Sequence, residues 1–251
     1  MINQFSRTEL LFGSEKIELL KSKRVAVFGI GGVGGYVVEA LARSGISNFV
    51  LVDSDVVSLT NINRQIIATH KTIGKYKCDV MKERILDINP NANVEIHKCF
   101  FLPNNKDDFD FKSYDYVVDA VDTVTAKIEI VLEADKNNVK VISAMGAGNK
   151  INPDYLRVSD IYKTKVDPLA KVMRIELKKR RIKKLKVVYS LERPMKVLNT
   201  NNLYDDIKNN DSKNNKQVPG SNAFVPSAMG LIIASEVIKD LTNTRNDISG
   251  A

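Results

Sequence analysis

The stretch Arg24-Val25-Ala26-Val27-Phe28-Gly29-Ile30-Gly31-Gly32-Val33-Gly34 decides the fold of this 251-residue chain. Arg24–Ile30 is a short, mostly apolar run that turns at glycine, the pattern of a strand buried in a parallel sheet. Val33–Arg43 then has helical spacing, with Val37, Val38, Leu41 and Ala42 set to face the sheet. Between them, Gly29, Gly31, Gly32 and Gly34 permit a tight turn and let backbone N–H groups approach a phosphate closely. That phosphate would sit at a helix N-terminus, where free N–H groups and the helix dipole favour an anion. A second strand, Phe49–Val52, places Asp53 at its carboxyl end, where an ionised carboxylate can accept hydrogen bonds from ribose hydroxyls. A glycine turn followed by such an acid is a general nucleotide-site signature, shared by dehydrogenases and methyltransferases.

Working outward, Lys75–Ile88 reads as a helix closed by Asn89-Pro90 and Thr125–Asn137 as another. Val94–His97, Tyr116–Asp119 and Val139–Ala144 read as strands, the last followed by a Gly146/Gly148 turn. This alternation predicts an α/β fold, a doubly wound, Rossmann-like and mostly parallel sheet with its site at the carboxyl strand ends. After Met145 the pattern changes to a strand at Tyr155–Ser159, a basic helix at Pro168–Arg181 and a strand at Leu185–Ser190. These predict a smaller, partly antiparallel C-terminal extension. Leu198–Gln217, rich in Asn, Asp and Lys, is expected to be a mobile loop, and Val225–Leu241 returns to helical spacing. The expectation is one domain, with a nucleotide-binding half at about 1–150 and a substrate-binding extension at about 151–245.

Three residues beyond the glycine turn narrow the chemistry. Arg64 lies in Asn61-Ile62-Asn63-Arg64-Gln65, where a guanidinium can hold phosphate oxygens by bidentate contacts. Lys77 follows in Gly74-Lys75-Tyr76-Lys77, and Asp122 ends Asp119-Ala120-Val121-Asp122. Two cations and a carboxylate beside a phosphate cradle suit phosphate chemistry with a metal ion. Hydride transfer from a nicotinamide needs none of them, which weighs against an oxidoreductase.

In order and spacing these segments resemble the ATP-dependent adenylyltransferases of the ubiquitin-activating superfamily. The opening Phe5-Ser6-Arg7-Thr8-Glu9-Leu10-Leu11-Phe12-Gly13, the stretch Met81–Pro90, Gly146-Ala147-Gly148-Asn149 and Asp167-Pro168-Leu169-Ala170 resemble one branch of it, the tRNA threonylcarbamoyladenosine dehydratases. The resemblance implies ATP and Mg²⁺ as cofactors. It implies that Gly29, Gly31, Gly32, Gly34, Asp53, Asn61, Gln65 and Lys75 bind the nucleotide, with Lys77 neutralising the α-phosphate during attack. Lys75 ranks second to Lys77 for that role. Asp122 is implied as the Mg²⁺ carboxylate, and Asp119 is read as structural. Arg7 is implied to reach the ATP of a neighbouring subunit, hence a homodimer with composite sites; the alternative is an ordinary surface arginine.

Charge is distributed unevenly. The net charge is +8, yet Arg157–Lys186 holds twelve Lys or Arg against three acids, a local +9 that leaves the remainder at −1. Such a segment attracts phosphate backbones, and its plainer reading is a solvated helix face. Cys78 and Cys99 cannot make a disulfide framework, and no secretory pattern precedes Arg7, so a cytoplasmic location is expected. The uncharged stretch Val25–Val38 is too short and too glycine-rich for a membrane span, and no membrane association is expected. With no CxxC pair, a structural cysteine-zinc site is not expected, and both cysteines read as packed residues. His70 and His97 read as structural.

The function implied is ATP-dependent cyclisation of threonylcarbamoyladenosine in tRNA. The threonyl carboxylate would be adenylated, and a nitrogen of the same side chain would then expel AMP, so no cysteine nucleophile is needed. The alternative is an adenylyltransferase acting on the C-terminal glycine of a ubiquitin-like sulfur carrier. A sulfurtransferase-type helper protein is a further implied partner.

Overall fold

The computed structural model describes residues 2–198 and 219–244. Five strands, β1 (Arg24–Phe28), β2 (Asn48–Val52), β3 (Asn93–His97), β4 (Tyr116–Asp119) and β5 (Lys140–Ala144), run parallel in the order β3-β2-β1-β4-β5. The sheet continues through β7 (Lys186–Ser190), parallel to β5, to β6 (Leu156–Asp160), antiparallel to β7. The expected partly antiparallel extension is therefore the far edge of one seven-stranded sheet. Strand order reverses between β1 and β4, the point where ligands bind in open α/β sheets.

The mostly apolar central strands follow from burial on both faces. Val25 and Val27 enter a core with α3 (Gly34–Arg43), α4 (Lys77–Ile88) and α7 (Val225–Thr242). Ala26 and Phe28 enter the opposite core, with Ile130 and Ala134 of α5 (Val124–Lys136) and the rings of Phe101, Phe109 and Phe111. On that same face α6 (Pro168–Lys179) buries Met173 and Leu177 against Ile128 and Val131 of α5. The charge-free stretch Val25–Val38 is thus a strand, a turn and a helix start. Among the described residues no helix is long and apolar enough to cross a membrane.

The expected strands and helices occur with ends shifted by one or two residues. Two N-terminal helices, α1 (Ser6–Phe12) and α2 (Ser14–Ser22), were not foreseen, because neither presents a clear apolar stripe. α1 buries none of its own residues and leaves Leu10 and Leu11 more than 80% exposed. It is tethered by the preceding Phe5, buried in the core. The expected mobile loop lies, apart from Leu198, outside the described residues.

Glu39 of α3 binds α4 to α3. It takes two contacts from Arg84, at 2.6 and 2.9 Å, and one from Arg43 at 2.8 Å. Burial alone would raise its carboxyl, but the hydrogen bonds from the two arginines outweigh burial and hold it below its ordinary 4.5.

Candidate functional site

The turn after β1 is shaped by two close backbone approaches. Gly29 has φ +88°, and a Cβ there would lie 2.7 Å from the Ala120 carbonyl oxygen. A Cβ on Gly34 would lie 1.8 Å from the Gly29 carbonyl oxygen. These two glycines close β1 onto α3 and onto the end of β4. Gly31 differs: a Cβ there meets nothing nearer than Gln65 Nε2 at 3.9 Å. Packing does not demand glycine at 31, whereas a ligand approaching the backbone would.

Asp53, just past β2, is tied into this turn. Its Oδ2 accepts the Ile30 N–H at 2.7 Å and its Oδ1 the Asp55 N–H at 2.8 Å. Burial pushes the carboxyl above its ordinary range, against the Lys77 ammonium 4.0 Å away. Asp53 therefore organises the turn, and a carboxylate's remaining lone pairs leave acceptor capacity for hydroxyl donors.

Lys77 opens α4 and is buried, its ammonium 2.9 Å from Asp55 Oδ2. Asp55 was not foreseen as part of the site, although the Asp53-Ser54-Asp55 spacing was its signal. Cys78, next along, is fully buried with its thiol pushed up to about 12 by desolvation. That agrees with a packed residue rather than a nucleophile.

The segment Leu59–Asn61 is a single turn in which Asn61 Oδ1 accepts the Ser58 N–H at 3.1 Å. The Asn61 carbonyl then accepts the Arg64 and Gln65 N–H groups at 3.1 and 2.9 Å, holding both residues over the glycines. The Arg64 stem packs on Gly32, where a Cβ would lie 3.4 Å from Arg64 Cγ. Its guanidinium donates to the Thr60 carbonyl and to Asn63 Oδ1, both at 2.9 Å. Gln65 is buried, and its Oε1 is the one buried side-chain polar atom without a hydrogen-bond partner among the described residues. A buried amide left unpaired beside an open glycine turn is what a site built for a polar ligand presents.

Asp119 and Asp122 differ in burial and in partners. Asp119 is fully buried, with both oxygens 3.1 Å from the buried Lys127 ammonium and a short bond from Ser143 Oγ. Removing one partner of such a pair costs ~3–5 kcal/mol, so Asp119 holds the fold. Asp122 is exposed on the loop that abuts Gly29, and accepts a hydrogen bond from Thr123 Oγ1 at 3.2 Å. Among the described residues no three His, Cys, Asp or Glu side chains cluster as metal ligands. A cation held by Asp122 would therefore complete its shell with phosphate oxygens and water, a common arrangement for Mg²⁺.

Two expected residues lie elsewhere. Lys75 is exposed, on a groove along α4 that it lines with Tyr76, Asp79 and Lys82, while Lys77 points into the site. Arg7 is exposed on α1. The chain just before it, at Gln4 and Phe5, packs beside Ile88 at the end of α4, at the amino edge of the sheet and opposite the glycine turn.

The glycine edge is closed from the C-terminal part of the chain. Pro226, in the first turn of α7, packs on Gly32. Asn63 Nδ2 donates to the Ser221 carbonyl at 3.0 Å, and Asn222 Nδ2 to the Lys150 carbonyl at 2.7 Å. Lys150 is buried in turn, donating to the Gly146 carbonyl and pairing with Asp167 at 2.7 Å. Asp167 also caps α6 through the Ala170 N–H at 2.9 Å, with Pro168 at the first helical position. That accounts physically for Asp167-Pro168-Leu169-Ala170.

With this glycine turn, arginine loop and lysine on a seven-stranded sheet, the chain matches the ThiF family model over residues 5–251. The chain belongs to the ThiF family. Within it, the chain is 45% identical over 244 residues to the Bacillus subtilis tRNA threonylcarbamoyladenosine dehydratase, covering 96% of this chain and 95% of that protein. The crystal structure of the Escherichia coli tRNA threonylcarbamoyladenosine dehydratase in complex with AMP superposes with a TM-score of 0.84 at 32% identity, over 96% of this chain and 94% of that one. The same enzyme in complex with ATP gives a TM-score of 0.83.

Proposed function

We propose that this ThiF-family chain is an ATP-dependent, ligase-like enzyme that cyclises threonylcarbamoyladenosine in tRNA. The observation that carries the reading is the likeness, across nearly the whole chain, to enzymes of that name, one of them crystallised with ATP and with AMP. The chemistry of the glycine edge agrees with it.

In this reading the 1–150 half binds ATP and the remainder receives the RNA. Gly29, Gly31, Gly32 and Gly34 present backbone N–H groups to the phosphates, and Asp53 accepts from the ribose. Asn61 holds the Arg64 loop, and Gln65 offers its unpaired oxygen to the nucleotide. The threonyl carboxylate attacks the α-phosphorus, a new P–O bond forms, and pyrophosphate leaves. Lys77 and Arg64 offset the charge that develops on the phosphoryl oxygens. Asp122 would hold Mg²⁺, which when bound neutralises phosphate charge. A carbamoyl nitrogen of the same side chain then attacks the activated carbonyl, loses its proton, and expels AMP. Ring closure removes one water overall, and because both partners share one side chain the step is effectively unimolecular.

Arg7 and the exposed Leu10 and Leu11 belong to a homodimer in this account, with Arg7 completing the partner's ATP site. The position of α1, at the edge of the sheet away from its own glycine turn, supports a role across the interface. The same reading includes a sulfurtransferase-type helper protein and a cytoplasmic location, which suits two free cysteines. The test is mass analysis of nucleosides from modified tRNA treated with the protein. Loss of one water that depends on ATP supports the function, and an unchanged nucleoside refutes it.

A further inference from the structure

Three of the twelve cations of residues 157–186 are paired with acids among the described residues. Lys179 and Arg180 both pair with Glu176, the one acid of α6, at 2.6 and 2.7 Å. Lys186 pairs with Glu236 and Asp240 at 3.2 and 2.7 Å. By contrast Lys165, Lys171, Lys178, Arg181, Lys183 and Lys184 are all exposed and have no ion-pair partner among the described residues. A merely solvated surface would carry compensating acids among these six.

Their placement is directional. α6 begins at Asp167, which is paired with Lys150 beside Gly146, at the carboxyl edge of the sheet where the glycine turn lies. Lys165 and Lys171 flank that end. Twelve residues of helix carry the chain about 18 Å away. The helix is followed by Arg181, Lys183 and Lys184, and then by Lys186 at the start of β7. That is the amino edge, since Asp240 joins Lys186 to Tyr116 at the start of β4. The unpaired cations therefore run from the nucleotide edge to the opposite edge.

We propose that this stripe is a track for the phosphate backbone of the RNA substrate, and that its far end (Lys178, Arg181, Lys183 and Lys184) grips phosphates remote from the modified nucleoside. The proposal rests on the tRNA reading above. A modified nucleoside is one unit of a charged strand, and a site that takes its side chain must also route the flanking phosphates. Phosphate contacts set register and orientation without reading sequence, which is what lysines and an arginine on and at both ends of one helix supply. A nucleoside presenting its carboxylate to the bound ATP cannot touch a group about 18 Å away along α6, whereas a hairpin carrying that nucleoside in its loop can.

The experiment uses the full chain and two RNAs: a hairpin with threonylcarbamoyladenosine in its loop, and a short single-stranded oligonucleotide containing the same nucleoside. Binding is titrated against salt for the parent, for a far-end variant (Lys178→Gln, Arg181→Gln, Lys183→Gln, Lys184→Gln) and for a near-end variant (Lys165→Gln, Lys171→Gln). The far-end variant is expected to bind the hairpin at least about tenfold more weakly, with the slope of log affinity against log salt reduced by roughly 0.7–0.9 per lost contact. Its affinity for the short oligonucleotide and for ATP should match the parent's. The near-end variant should weaken both RNAs. Parental hairpin affinity and slope in the far-end variant overturn the track, as does equal weakening of both RNAs by it. A salt-independent parent overturns it too, and points to a non-RNA partner such as an acidic protein. Turnover of the modified hairpin by the parent separates the two claims: turnover with an insensitive far end sinks the track alone, and no turnover sinks the function itself.

Discussion

Lys77 and Asp55 are joined by a 2.9 Å ion pair in which the lysine side chain is 7% exposed and the aspartate 39%. The cation assigned to the α-phosphate is thus held from the outer side by Asp55, while Asp53 stands 4.0 Å away on the inner side. Replacing Asp55 by Asn should keep the fold and change the position of Lys77 rather than its presence. Turnover should fall by about tenfold, well short of the loss expected when Lys77 itself is removed. Steady-state rates of Asp55→Asn and Lys77→Ala, measured side by side, check the ranking.

Asp122→Asn and Lys77→Ala should each lower adenylate formation by ~10²–10³, the usual cost of one electrostatic contribution to a transition state. Asp122 is exposed and its loss should leave the melting temperature near the parental value. Near-parental adenylate formation by either purified variant removes that residue from the mechanism.

The glycine turn separates folding from binding. Gly34→Ala places a methyl 1.8 Å from the Gly29 carbonyl oxygen and should destabilise the protein severely. Gly31→Ala meets only Gln65 Nε2 at 3.9 Å and should fold normally while weakening ATP binding. Melting curves with and without ATP distinguish them. Parental ATP stabilisation of Gly31→Ala would show that no phosphate approaches that backbone.

Mixed dimers test Arg7. Arg7→Ala chains combined with Asp122→Asn chains leave one of the two sites without a lesion, provided Arg7 acts on its neighbour. Partial recovery of activity is expected. Its absence in verified mixed dimers assigns Arg7 to its own subunit or to no site.

Glu39 gives a pH signature. Arg84 and Arg43 hold its carboxyl below the ordinary 4.5, so its contribution to stability is present above that pH and lost as pH falls through the depressed value. Glu39→Gln should melt well below the parent at about pH 6, with the gap narrowing below about pH 4.5. Parallel melting curves across that range contradict the assignment.

Much of this was legible in the sequence, for physical reasons. Strands buried on both faces have no room for polar residues, so Val25–Phe28 and Tyr116–Val118 announce themselves as apolar runs. Gly29 and Asp53 sit at strand ends, where local pattern places them. What distance in sequence brings together was not legible. Lys75 and Lys77 differ by two residues, and the pairing of Val56 with Tyr76, together with the start of α4 at Lys77, sets which one is buried. Asn222, Lys150 and Asp167 meet across more than seventy residues with no shared pattern. α1 was missed because Leu10 and Leu11 point into solvent, so its apolar residues do not mark a buried face.

The central claim is that the glycine edge adenylates a carboxylate carried by tRNA. Pyrophosphate release from ATP, measured with modified tRNA, unmodified tRNA and no RNA, tests it most directly. The account predicts release that rises sharply with threonylcarbamoyladenosine-containing tRNA and stays at background with the other two. Release at the same rate in all three, or release stimulated instead by a carrier protein ending in glycine, contradicts it.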